Sequence, residues 1–131
     1  MKRVGFWYNA HETDLPMPEN NSGDWEDGAD LRAVLTMLQM RMSNSNGFGL
    51  AEREVEPLGE VRQYKGFSIC RLCGCDVGAK EFTLAGFTWP EGFLHYLNEP
   101  HYVRPDPEFK QFIKDWAKDH ITVGGKPLIL K

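Results

Sequence analysis

The sequence has no apolar run near the roughly 20 residues needed to cross a bilayer. Its opening, Met1-Lys2-Arg3-Val4-Gly5-Phe6-Trp7-Tyr8-Asn9, turns polar too soon for the core of a secretory signal. Both absences point to a cytoplasmic protein with no membrane span. An excess of basic charge is also lacking. The 15 Lys+Arg face 19 Asp+Glu, and the net charge of −4 gives the chain no general electrostatic reason to hold nucleic acid or an anionic membrane. The cysteines cannot build a disulfide framework, because there are only three, all between Cys70 and Cys75. In a reducing compartment such a cluster reads as metal ligands. Several catalytic signatures are missing as well: the P-loop, G-x-G-x-x-G, the G-x-S-x-G elbow, and the H-x-E with P-C-x-x-C layout of nucleobase deaminases. His11-Glu12-Thr13-Asp14-Leu15 lacks the second histidine of H-E-x-x-H.

What is present is 131 residues, 41% of them hydrophobic, enough for one domain over residues 1–131 with a modest core. The charge is uneven. Residues 1–60 carry 5 basic and 11 acidic side chains, and residues 61–131 carry 10 and 8. An anionic ligand would prefer the second half, although an acidic surface that only aids solubility accounts for the asymmetry equally well. Val4, Phe6 and Tyr8 alternate with polar or small neighbours and predict a strand over 3–8. Residues 9–28, with Pro16, Pro18, Asn20, Asn21 and Gly23, read as a loop or mobile segment anchored at Trp25. A helix follows over 29–42, with Leu31, Val34, Leu35, Leu38 and Met42 on one stripe and Asp24 or Asp27 as N-cap. Met37 and Met40 belong to its edge rather than to a soft-metal surface.

Residues 64–69 read as a strand leading into Cys70. Residues 80–84 and 86–89 read as a hairpin about Ala85-Gly86, and Pro90 as the first residue of a helix that runs to Leu97 and stops before Pro100. A second amphipathic helix over 107–119 carries Phe109, Phe112, Ile113 and Trp116, started by Asp106 or Pro107. The tail reads as two short strands about Gly124-Gly125, one of them a candidate to pair with the N-terminal strand. The fold class is α+β: a zinc knuckle, hairpin and helix within one domain, with two further helices covering the sheet.

The chemistry lies in Cys70-Arg71-Leu72-Cys73-Gly74-Cys75, followed by His95 and His101. Two thiolates three residues apart can bind one ion from a tight turn, and a following glycine allows the positive φ that such a turn needs. Two ligands do not close a site. His95 and His101 supply an H-x5-H pair, and the 21 residues between Cys73 and His95 hold one hairpin that would return the chain to the ion. Cys70, Cys73, His95 and His101 are therefore the expected Zn2+ ligands. Cys75 is an alternative, and His120 or His11 could replace His101. Buried thiols without metal remain the plain alternative. Three cysteines argue against an iron–sulfur cluster, and Gly74-Cys75-Asp76 does not open the helix that a thioredoxin-like pair requires.

Residues 64–109 resemble a group of small uncharacterised bacterial proteins with a C-R-x-C-G knuckle, an E-x-T and Gly segment, W-P-E-G-x-x-H-Y, and a second His followed by V-R. The matching residues are Cys70-Arg71, Cys73-Gly74, Glu81, Thr83, Gly86, Trp89-Pro90-Glu91-Gly92, His95-Tyr96, His101 and Val103-Arg104. The resemblance implies metal binding and no assigned activity. Cys75 is extra to the pattern, and Pro100 lies in an interval one residue longer than usual.

A site closed by four protein ligands has no position for an activated water. The favoured reading is thus a structural zinc site in a protein-interaction module or regulator, an inhibitor or adaptor that meets an unidentified protein partner. The alternative is a small zinc hydrolase with an open metal position and Glu91 or Glu99 as base. A nucleic-acid-binding finger comes third, with Trp89, Phe93, Tyr96, Tyr102 and Arg104 stacking on bases. The net charge and the absence of a basic face on the His95 helix oppose it, and an aromatic core around the ion explains those rings equally well. Arg71 and Arg104 are candidates to hold a carboxylate within the protein.

Overall fold

The computed structural model describes residues 2–6, 14–23, 25, 28–45 and 59–130. The elements in chain order are β1 (Lys2–Arg3), α1 (Gly28–Ser45), β2 (Glu60–Ile69), β3 (Asp76–Leu84), β4 (Phe87–Pro90), α2 (Phe93–Leu97), α3 (Pro107–His120), β5 (Thr122–Val123) and β6 (Lys126–Pro127). Helices and a mixed sheet together give the expected α+β class. No helix among the described residues is long and apolar enough to cross a membrane.

Periodicity decides α1. Leu31, Val34, Leu35, Leu38 and Met42 fall on one face at i, i+3 and i+4 intervals, and all are buried. Met37 and Met40, off that stripe, stay exposed. The candidate caps Asp24 and Asp27 lie outside the described residues. α3 starts where its sequence says it should. Asp106 Oδ1 accepts the N–H groups of Glu108 (2.9 Å) and Phe109 (3.3 Å), and Pro107, which has no N–H to satisfy, opens the first turn. Its face of Phe109, Ile113, Trp116 and Ala117 is buried against α1 and the sheet.

The four-stranded sheet has the order β1-β4-β3-β2. The β3–β4 hairpin turns at Ala85-Gly86, where both residues have positive φ (51° and 87°), the conformation of a two-residue turn whose twist matches the strands. β2 and β3 pair antiparallel from Glu60↔Thr83 to Ile69↔Asp76, so the cysteine segment connects two paired strands.

Three expectations need correction. The N-terminal strand covers Lys2–Arg3 rather than 3–8. Gly5 takes φ 74° and ends it, and no side chain would fit there because the Phe93 ring occupies the place of a Cβ; Trp7 and Tyr8 lie outside the described residues. Its partner is not the tail. β1 runs parallel to β4, with Val4 N–H donating to the Thr88 carbonyl, whereas among the described residues β5 and β6 pair only with each other about Gly124-Gly125. Pro90 does not open a helix but ends β4, paired with Glu81. It lies beyond the β1 pairing at Phe87 and Thr88, so its missing N–H costs no ladder bond there. The helix begins three residues later, at Phe93.

The core is aromatic. The Trp89 ring is fully buried, stacked on Phe82 at 5.8 Å and edge-on to Phe109 at 5.1 Å. Its indole N–H donates to Gln39 Oε1 at 3.0 Å, which explains a polar residue at the inner edge of α1. Gln39→Ala should leave this buried donor unpaired and lower stability by about 1–3 kcal/mol, measured by urea unfolding.

Candidate metal centre

The turn after β2 is shaped by its backbone before any ion is considered. Cys70 N–H donates to the Cys75 carbonyl (2.8 Å), Gly74 N–H donates to the Cys70 carbonyl (2.9 Å), and Gly74 adopts φ 77° with open space where a Cβ would stand. The loop therefore folds back on itself and points both thiols of the C-x-x-C to one side. Leu72 N–H also donates to Cys70 Sγ at 3.4 Å.

The opposing pair comes from α2 and the turn that follows it. Phe93, Tyr96 and Leu97 bury the inner face of this five-residue helix, and His95 lies half-buried between them and solvent. The chain then reverses. Asn98 caps the helix, His101 N–H and Tyr102 N–H both donate to the Asn98 carbonyl, and Val103 N–H donates to the Tyr96 carbonyl. The His101 ring, 3% exposed, returns to lie 5.1 Å from the His95 ring.

The sulfur of Cys70 is 3.5 Å from His101 Nε2, and that of Cys73 is 3.3 Å from His95 Nε2. The four ligand atoms all lie within 4.8 Å of one another. An ion about 2.3 Å from each sulfur and about 2.0–2.1 Å from each nitrogen sits in a tetrahedron whose S–N edges are about 3.5 Å. The residues thus fit a four-coordinate ion, and Cys70, Cys73, His95 and His101 lie close enough to bind one.

The protonation states suit that role. Burial, and then the neighbouring His101, lower the pKa of His95 and favour the neutral ring. His101 Nδ1–H donates to Asn20 Oδ1 at 2.7 Å, which fixes the tautomer and leaves the Nε2 lone pair facing the cysteines. Asn20 falls within the segment read from sequence as a loop. Its neighbour Asn21 fastens that segment twice more, by N–H to the His101 carbonyl (2.8 Å) and Nδ2 to the Tyr102 carbonyl (3.1 Å). An orienting residue 81 positions from its histidine leaves no trace in local sequence patterns. Tyr96 was also missed in its own role. Its hydroxyl accepts the Arg71 N–H at 2.7 Å and ties the knuckle to α2, and burial pushes its pKa up to about 12, so it stays protonated.

The remaining candidates fall elsewhere. Cys75 is exposed and not among the four, and what it contributes to the turn is its carbonyl. His120 stacks on Trp116 at 4.8 Å and bonds the Trp116 carbonyl. His11 lies outside the described residues. Arg71 donates to the Ile69 carbonyl, and Arg104 donates to the Tyr102 carbonyl and lies over the Trp25 ring. Trp89 and Phe93 belong to the main core, and Tyr96 to a smaller cluster with Cys70 and Val103.

Glu91 has a structural task. Its Oε1 accepts the N–H groups of Ala79 (3.0 Å) and Lys80 (3.3 Å), while its own N–H donates to the Lys80 carbonyl (2.8 Å). The carboxylate continues the ladder along β3 where β4 has run out at Pro90. The glycines around it leave the necessary room: a Cβ on Gly78 would overlap the Glu91 carboxylate, and one on Gly92 would fall 2.5 Å from Val77.

Comparison with family models, with curated proteins and with solved structures finds no match.

Asn20→Ala should weaken metal binding about 10–100-fold by releasing the His101 ring, read by competition with a chromophoric chelator. Glu91→Ala should cost about 1–3 kcal/mol in urea unfolding and leave the metal stoichiometry unchanged, because the carboxylate serves β3 and not the ion.

Proposed function

We propose that Cys70, Cys73, His95 and His101 hold one zinc ion as a closed structural site, and that the chain is a protein-interaction module or small regulator rather than an enzyme. The observation that carries the reading is the pair of S–N separations at 3.5 and 3.3 Å. Two thiolates and two neutral imidazoles form a donor set that zinc favours over magnesium, calcium or manganese, which take oxygen ligands. The ion would tie the β2–β3 turn to α2 and to the chain beyond it. With four protein ligands no position is left for a reactive water.

The hydrolase reading loses one of its two candidate bases, since the Glu91 carboxylate is engaged by backbone amides of β3, and Glu99 is exposed. The nucleic-acid reading loses three of its five stacking residues, since Trp89, Phe93 and Tyr96 are buried, whereas Tyr102 is half-buried and Arg104 exposed. The acidic first half of the chain suits a partner with a basic face.

The test is elemental analysis of protein purified without added metal, joined to X-ray absorption at the zinc edge. The expected result is about one zinc per chain, bound by two sulfurs and two nitrogens, and none in a Cys70→Ala/His95→Ala variant. A well-folded parent without zinc would overturn the site. An oxygen ligand in the first shell would transfer the argument to the hydrolase.

A further inference from the structure

Residues 14–23 contain no helix or strand, yet three hydrogen bonds fasten them to the reversal after α2. Asn20 Oδ1 accepts the His101 Nδ1–H at 2.7 Å, Asn21 N–H donates to the His101 carbonyl at 2.8 Å, and Asn21 Nδ2 donates to the Tyr102 carbonyl at 3.1 Å. Among the described residues these are the segment's only hydrogen bonds to the rest of the chain. It is therefore anchored at two consecutive positions, one of them a ligand of the site. We propose that this segment is a strap under metal control: an ion on His101 holds it down, and loss of the ion releases it. The proposal rests on the zinc reading of the site and adds the regulation of that site.

The coupling runs through one ring. His101 presents Nε2 to Cys70 Sγ, 3.5 Å away on the side of the ion, and Nδ1 to the strap. A nitrogen bound to an ion carries no proton, so the single proton of the neutral ring must sit on Nδ1 and donate to Asn20. Without the ion that proton can move to Nε2, and Asn20 Oδ1 then meets a lone pair. The charge of the ion also makes the Nδ1–H a stronger donor. The backbone adds a second path. Tyr102 takes φ 45°, a left-handed conformation uncommon for a residue with a large side chain, which persists only where its surroundings hold it. A ligated His101 beside it and the Asn21 bond to its carbonyl both help to do so. All three anchors depend on the same two residues, so they weaken together. What remains is Pro18, which is buried, and Leu15 and Pro16, which line one cavity with Phe6 and Phe93. These few apolar contacts would not offset the entropy of ordering the segment, and its release would open that cavity. Linkage makes the effect reciprocal: the factor by which losing the strap weakens zinc is the factor by which zinc favours the docked strap.

The test follows amide hydrogen exchange by NMR in the whole protein, zinc-loaded and after chelation, with the zinc content of each sample measured. Removing zinc should speed exchange at Asn21 about tenfold or more, while the Val4 amide, bonded to the Thr88 carbonyl in the sheet, changes by less than about twofold. Asn20→Ala should raise Asn21 exchange in the zinc-loaded protein most of the way to the metal-free rate. Asn20→Asp, which keeps an acceptor for Nδ1–H, should retain the zinc dependence of the parent. Equal Asn21 exchange in samples whose zinc contents differ would overturn the strap and leave the zinc site standing. Acceleration of Val4 by the same factor as Asn21 would do so as well, since the whole domain is then opening. An unchanged Asn21 rate in zinc-loaded Asn20→Ala protein would also overturn it. A parent that takes up no zinc overturns the site and the strap together, and the zinc measurement separates that failure from the others.

Discussion

The constraint on which the rest of the structure turns is the meeting of four ligand atoms within 4.8 Å, drawn from a turn, a short helix and a reversal that are separate in sequence. The short helix α2 is the piece whose placement this meeting demands. Five residues make scarcely more than one helical turn, far below the length at which a helix is stable alone. α2 is held from both sides instead: Phe93 and Leu97 enter the main core, while Tyr96 and His95 face the knuckle. The reversal after it is fastened to Asn20 and Asn21, so a stretch without regular secondary structure becomes part of the site.

Position is transmitted from the core to the site through Trp89-Pro90-Glu91-Gly92. Trp89 is locked by Phe82, Phe109 and Gln39. Pro90 ends the strand, Glu91 bonds back to β3, and Gly92 lies close enough to Val77 that no side chain would fit. Four consecutive residues thus perform four different tasks within about 13 Å of extended chain. Their combined effect is to fix where α2 starts, beside Val77, and hence where His95 stands relative to the turn that enters the same end of β3.

Much of this was legible from sequence, and the reasons differ by element. α1 and α3 combine apolar period with recognisable starts or faces, and both signals are local. The β3–β4 hairpin was legible because Ala85-Gly86 separates two β-prone runs. The cluster of Cys70, Cys73, His95 and His101 was legible because donor type and spacing are chemical requirements that survive without knowledge of the fold. The failures are non-local. Nothing near Lys2 and Arg3 indicates pairing with Phe87 and Thr88, more than 80 residues away, and nothing near Asn20 indicates His101. Gln39 is buried beside the apolar stripe of α1 to meet an indole on another element. Pro90 was misread because proline suits both the start of a helix and the end of a strand, and only the pairing with Glu81 decides between them.

Burial around the site divides the ligands in a way that bears on its energetics. Cys70 and His101 are buried, at 2% and 3% exposure, whereas Cys73 is exposed and His95 intermediate. The main core runs from Val4 to Leu130 without including the knuckle, whose own apolar support is limited to Cys70, Tyr96 and Val103 with Leu72 and Val77 against them. A cluster so small excludes little water and contributes correspondingly little hydrophobic stabilisation. An ion bound there would supply what the apolar contacts do not, since metal binding free energy is folding free energy for the segment it closes. The buried pair would anchor the ion to the interior, and exchange would begin on the Cys73 and His95 side. The main core, complete without these residues, would keep its own packing, so the metal's contribution belongs to the knuckle, α2 and the reversal at His101.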